Sequence, residues 1–188
     1  MRKRFLQLVL FALVLMTANS VLAKETPDQL RAKLNDMSGQ VLSRMYEKYP
    51  SSRSAVENSY AYCTISASSI KWGFWGDDHG RGVAVNNQTG ERVYVKLSEV
   101  SLGVNFGAKE YDLLFVIANK DAWDRFISGN IKFGNEISAQ ASDGMSGATF
   151  ANATLVANGV WVYQLDKKGL AVEFSLKGAR ISKYKNLN

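Results

Sequence analysis

Side chains that could bind a ligand are concentrated between Lys71 and Arg81, where three aromatic residues lie among the two cations. Tryptophan favours places where one end of its ring is in apolar surroundings and the other meets water, as at a membrane interface. A nearby cation adds attraction to anionic head groups, about 1 kcal/mol each close to the surface. The stretch therefore predicts a ligand contact through Lys71, Trp72, Trp75 and Arg81. In the alternative interpretation, Trp72 and Phe74 belong to the core and only Trp75 is exposed.

Catalytic and metal-binding patterns are weak in this sequence. The only histidine, His79, follows two aspartates between glycines, and such residues populate turns far more often than metal sites. The sequence contains no Gly-x-Ser-x-Gly, no Cys-x-x-Cys, no phosphate-binding loop and no dinucleotide fingerprint. Asp112, Asp121 and Asp124 are interpreted as turn and cap residues. We therefore expect no enzyme, no metal and no cofactor, although scattered carboxylates would leave no motif.

The first 23 residues have the features of a secretory signal peptide. A basic start at Arg2–Arg4 precedes an apolar segment and a small-residue cleavage pattern ending at Ala23. The alternative, a retained membrane anchor, is disfavoured because the apolar segment is shorter than the ~20 residues that span a bilayer. We expect export to the periplasm or outside the cell. Peripheral association of the exported protein with a membrane is a further option.

The remainder, residues 24–188, is long enough for one domain with its own core. Three of the 23 basic residues and none of the 17 acidic ones precede position 24, so this part carries a net charge of +3. That charge suits mild attraction to anionic surfaces and does not indicate a nucleic-acid-binding protein. The single cysteine, Cys63, excludes an intrachain disulfide, and its apolar surroundings indicate a buried, unreactive thiol.

A helical segment opens this domain, and we divide the domain into a helical lead-in (24–59), a β-rich core (60–182) and a polar tail (183–188). Thr26, Pro27 and Gln29 form a helix start with a capping box. Apolar residues then recur at helical spacing until the helix ends near Tyr49, ahead of a proline. This pattern favours a core-packing helix over a membrane-surface helix. The tail is polar and basic, and we expect poor order there.

Strand patterns dominate the core segment. The central stretch, Ser101–Ala118, changes from strict alternation to an unbroken apolar run, as expected for a strand near the centre of a curved sheet. Turns are predicted at 76–80 and 87–90, a short helix is expected at 121–128, and a hairpin is expected for 159–176. The predicted fold is α+β: an N-terminal amphipathic helix, a curved antiparallel sheet or partial β-barrel, and a short covering helix.

The segment from about Tyr60 to the C-terminus resembles the SYLF domain, which also occurs in yeast actin-patch proteins and in many secreted bacterial proteins. The resemblance is carried by Cys63-Thr64-Ile65, Gly80-Arg81-Gly82-Val83, Ser101-x-Gly103-x-x-x-Gly107, Asp112, Gly129, Gly134, Lys168-Gly169-Leu170 and Leu176-x-Gly178. The resemblance implies binding to acidic phospholipids and no catalysis.

The sequence as a whole favours an exported, non-enzymatic binding protein for anionic phospholipid or another amphiphile at an envelope surface. The alternative is an envelope module that binds a protein partner, with the aromatic residues at the centre of the contact. No nucleic-acid partner is expected.

Overall fold

The computed structural model describes residues 25–72, 75–99, 107–131, 133, 150–168, 176 and 178–188. The side chains of 68–72, 75–78, 99 and 107–109 also lie outside this description. The proposed signal peptide, the segment 101–106 and most of 170–176 lie outside the described residues. The described elements are α1 (Pro27–Lys48), α2 (Ser51–Glu57), β1 (Ala61–Trp72), β2 (Trp75–Asn86), β3 (Arg92–Glu99), β4 (Gly107–Ile117), α3 (Lys120–Ser128), β5 (Thr154–Ala157), β6 (Val160–Asp166) and β7 (Arg180–Lys183).

Helix α1 begins and ends where its local sequence requires. The Thr26 hydroxyl accepts a hydrogen bond from the Gln29 backbone, and the Gln29 side chain accepts one from the Thr26 backbone, which completes the capping box. The helix ends at Lys48, and Tyr49 caps it. Leu34, Val41 and Met45 are buried against the sheet, so the core-packing interpretation is correct.

The strands form one antiparallel sheet in the order β5-β6-β4-β1-β2-β3-β7. The sheet is curved, and the predicted α+β class with covering helices is confirmed. Strand β1 lies at the centre, with β4 beside it. The apolar run of β4 is buried throughout, as its sequence predicts.

Each face of the sheet packs against a different helix. On one face, α3 contributes Trp123 and Phe126 to a core that includes Ile65 and Phe115. On the other face, α1 crosses the strands obliquely: Leu34 contacts the β2–β3 side, and Met45 contacts the β4–β6 side. Asn119 caps α3, and Gly129 ends it with a left-handed φ of 78°.

The turn predicted at residues 76–80 is wrong. These residues belong to β2 and pair with β1, since Gly76 is opposite Lys71 and Gly80 is opposite Ala67. The glycine at position 80 serves packing rather than chain reversal: a Cβ there would lie 2.7 Å from Cγ2 of Ile65. Composition indicated a turn because glycine and aspartate are common in turns, but here the close approach of a core side chain requires a glycine.

The expectation of a poorly ordered C-terminal segment is also wrong. Leu187 is buried beside Leu34 and Tyr94. The Asn188 side chain accepts a hydrogen bond from the Tyr94 backbone N–H and donates one to the Tyr94 carbonyl, both at 2.9 Å. The segment is therefore anchored to β3.

Candidate functional site: a basic groove beside helix α1

A row of polar side chains crosses the middle of the sheet on the face that α1 covers. Lys96, Arg81, Ser66 and Asp112 are successive partners across β3, β2, β1 and β4. Directly opposite residues share a face with their Cβ atoms about 5 Å apart. Arg44 of α1 binds Asp112, which shows that this is the α1 face.

Lys96, Arg81 and Ser66 of this row form the floor of a solvent-open groove of about 690 Å³. Three cations contribute to its lining: Arg81, Lys96 and Lys167, which follows β6. The rest of the polar lining consists of three hydroxyl groups, one imidazole and one carboxylate, from Ser66, Ser98, Ser182, His79 and Glu110. The groove therefore has more cations than carboxylates among its described lining residues.

One wall of the groove is built on a buried carboxylate. Asp112 has no exposed surface, and its Oδ2 accepts hydrogen bonds from Nε and Nη2 of Arg44 at 2.9 and 2.5 Å. Its Oδ1 accepts a hydrogen bond from Nζ of Lys167 at 2.9 Å, and the same Nζ lies 2.6 Å from the Ser66 hydroxyl. A buried carboxylate needs such partners because its desolvation is costly. Asp112 thus fixes the position of Lys167 and is a strand residue, not the turn residue the sequence suggested.

At the other end of the row, the two cations of β2 and β3 contact Tyr184, just after β7. The Lys96 ammonium lies 3.9 Å from the centre of its ring, and the guanidinium carbon of Arg81 lies 6.0 Å from it. A cation over an aromatic face is attracted by the ring quadrupole. Because Tyr184 begins the anchored segment, Leu187 and Asn188 help to hold its ring beside the two cations.

The structure separates the four residues that the sequence proposed as the contact. Trp72 pairs with Trp75 where β1 and β2 meet, and Lys71 lies next to them in β1. The side chains of these three lie outside the described part, so the choice between core and surface for Trp72 stays a prediction. Arg81 is exposed in the groove, six residues along β2 from Trp75, which corresponds to about 20 Å.

Sequence reasoning missed Lys96, Lys167 and Tyr184. Lys96 alternates with buried Val95 and Leu97, so its exposure could be read from the pattern, but its position opposite Arg81 could not. Lys167 lies within the hairpin predicted for 159–176, and nothing local indicates that it reaches Asp112.

Other candidate chemistry receives no support from the described residues. No group of three or more histidine, cysteine, aspartate or glutamate side chains within them could hold a metal ion. Cys63 is fully buried, and burial raises the pKa of its thiol well above the ordinary value, in agreement with the predicted unreactive cysteine. Within the described segments, the helices are too short or too polar to cross a bilayer.

Comparison with known proteins identifies a family for the C-terminal part of the chain. A family model described as "Ysc84: Las17-binding protein actin regulator" matches residues 98–188. Residues 98–188 belong to the SYLF family. The resemblance drawn from the sequence motifs is thereby confirmed, and the SYLF segment contains Asp112, Lys167 and Tyr184, whereas Arg81 and Lys96 precede it.

A curated relative extends the similarity beyond the SYLF segment. The chain is 26% identical over 163 residues to Beta cell expansion factor A of Aeromonas veronii. The aligned region covers 86% of this chain and 60% of that protein, so the chain spans only part of the length of its relative.

Proposed function

We propose that the protein is exported and binds anionic phospholipid, or another anionic amphiphile, at a surface of the cell envelope, without catalysing a reaction. The observation that carries the proposal is the basic groove, where Arg81, Lys96 and Lys167 line a solvent-open face beside α1. SYLF membership supports a binding role. The aromatic hairpin of Trp72 and Trp75 supports an amphiphile in particular, since tryptophan favours the boundary between apolar and aqueous surroundings.

Export is tested first and independently of binding. The full chain is expressed in a bacterial host, and the periplasmic fraction is analysed by mass spectrometry. We expect a product that begins at Lys24, because the segment ending at Ala23 has the signal-peptide pattern. Recovery of only the unprocessed chain in the cytoplasm would contradict this part of the proposal.

Lipid binding is tested by flotation of the processed protein with vesicles. Vesicles of phosphatidylcholine with one quarter phosphatidylglycerol are compared with pure phosphatidylcholine, and the salt concentration is raised stepwise. We expect flotation only with anionic vesicles and weakening with salt, because the attraction of exposed cations is screened. Trp75→Ala should weaken flotation, and Trp75→Phe, which keeps an aromatic ring, serves as its matched control.

A second candidate is a module that binds a protein partner. It is favoured by the description of the matching family, which names binding to Las17 and regulation of actin. An absence of flotation with every vesicle, together with saturable binding to purified actin filaments, would favour this candidate over the first.

A further inference from the structure

We infer that the groove is a discrete site for one oxyanion of the phosphate or sulfate class, bound by Arg81, Lys96 and Lys167. The inference rests on the proposed function, because the head group of an anionic phospholipid is one source of such an oxyanion. A free phosphorylated or sulfated solute is the other source. In either case the ligand is held at one place in the groove and not by the average charge of the surface.

The first reason is that the two cations at the floor contact the Tyr184 ring but have no described carboxylate that neutralises them. Arg81 and Lys96 lie directly opposite each other on neighbouring strands, an arrangement that destabilises a sheet when the charges are alike. Neither residue forms an ion pair with a carboxylate of the described residues, and both are exposed. A pair of cations kept together at a cost in stability indicates a ligand that neutralises them.

The second reason is that a third cation is already positioned beside them. Lys167 is held by Asp112 and by Ser66, and Ser66 is the cross-strand partner of Arg81. Asp112 is a positioning residue here: both of its oxygens are occupied by Arg44 and Lys167, so it directs the ammonium toward the groove without presenting a carboxylate to the ligand. Side-chain ordering that normally opposes binding is therefore partly complete before the ligand arrives.

The third reason is the kind of donors that meet in the groove. A guanidinium offers paired N–H groups that match two oxygens of a phosphate or sulfate, and an ammonium adds a compact charge. Ser66, Ser98 and Ser182 add hydroxyl groups to the same lining. The volume of 690 Å³ exceeds that of an inorganic oxyanion, which leaves room for the group that carries it.

The remaining titratable groups in the lining limit where the oxyanion lies. Among the described lining residues, the carboxylate is that of Glu110, and it is exposed. Glu110 lies on β4, in the next row of side chains after the row of Ser66, at the Lys167 side. His79 occupies the same row, two residues from Arg81. Strands β1 and β2 separate Glu110 from Lys96, so an oxyanion that contacts Arg81 and Lys96 and reaches Lys167 at its edge lies mostly away from this carboxylate.

The test combines a soluble probe with vesicles, using the processed protein. Binding of inorganic phosphate is measured by calorimetry at constant ionic strength, and phosphatidylglycerol vesicles are then floated with and without added phosphate. The variant is Arg81→Gln with Lys96→Gln. Its control, Lys120→Gln with Lys183→Gln, removes the same charge from the α3 face, since Lys120 lies in α3 and Lys183 is opposite Val95 of the α3-side core.

We expect saturable phosphate binding that the groove variant weakens by about tenfold or more, which corresponds to the loss of a charge-assisted hydrogen bond. The control pair should bind as the unmodified protein does, and phosphate should compete with the vesicles. The groove variant should unfold close to the temperature of the unmodified protein, because removal of a like-charge pair offsets the loss of the two contacts with Tyr184, and an unchanged unfolding temperature separates lost binding from lost folding.

The outcomes separate the two proposals. Flotation that both double variants weaken equally, without competition by phosphate, overturns the discrete site and leaves membrane association standing. Phosphate binding that depends on Arg81 and Lys96 without flotation supports the site, assigns it to a free solute and overturns the membrane function. Absence of both phosphate binding and flotation overturns both.

Discussion

Replacing Asp112 with asparagine should lower the free energy of unfolding substantially, although the two side chains differ little in size. The carboxylate is completely buried and accepts three hydrogen bonds from two cations. Asp112→Asn removes the charge and must present an N–H group to either Arg44 or Lys167. Hydrogen bonds to charged groups contribute about 1.5–3 kcal/mol each, but the freed cations are about one third exposed and regain water. We therefore expect a loss of about 2–4 kcal/mol.

The assay is equilibrium unfolding in urea followed by tryptophan fluorescence. Asp124→Asn is the matched control, because Asp124 forms an exposed pair with Lys120 and its loss should cost no more than about 0.5 kcal/mol. Arg44→Met should cost more than Lys167→Met, since Arg44 donates two of the three hydrogen bonds. A loss below about 1 kcal/mol for Asp112→Asn would refute the claim that this ion pair network joins α1 to the sheet.

Three further predictions concern packing and burial, and each is checked on the purified protein. Gly39→Ala should raise the free energy of unfolding by about 0.5–1 kcal/mol, since a Cβ in this exposed helical position meets no atom within 4 Å. Gly80→Ala should lower the free energy of unfolding by about 1–3 kcal/mol, because its Cβ collides with the core. Urea unfolding that gives both changes the same sign would contradict this prediction. Leu187→Ala should cost about 2 kcal/mol, and an unchanged unfolding midpoint would mean that the C-terminal segment is not anchored. Cys63, whose thiol pKa burial raises, should not react with a disulfide reagent at pH 8 until urea unfolds the protein; rapid reaction without urea would disprove its burial.

Local signals determine how well the sequence predicts each element. Helix α1 is predicted almost to the residue because its start depends on Thr26 and Gln29 and its end on the proline that follows Tyr49, all of them neighbours in the chain. The residues of β2 around Gly80 were misassigned because the reason for the glycine lies on another strand, at Ile65. The C-terminal segment was misassigned for the same reason, since its order depends on contacts with β3.

The cations of the groove illustrate why the site is harder to predict than the fold. Arg81 was selected for its aromatic neighbours in sequence, yet it lies in the groove with Lys96 and Lys167. Their meeting depends on strand register, because a shift of one residue in β3 would turn Lys96 to the other face and expose Val95 and Leu97 instead.

In the groove, strand register determines where the side chains at positions 81 and 96 lie, and the charges on these side chains are a separate property. The buried neighbours of Lys96 fix the face on which position 96 lies, but they do not require a cation there, and a neutral polar residue would satisfy the same strand pattern. Position 81, between Gly80 and Gly82, likewise has its face set by the register of β2, and that register does not require a cation there. Because the fold specifies the positions and not the charges, the charges can be removed without disturbing the core, and the change in binding that results measures their function.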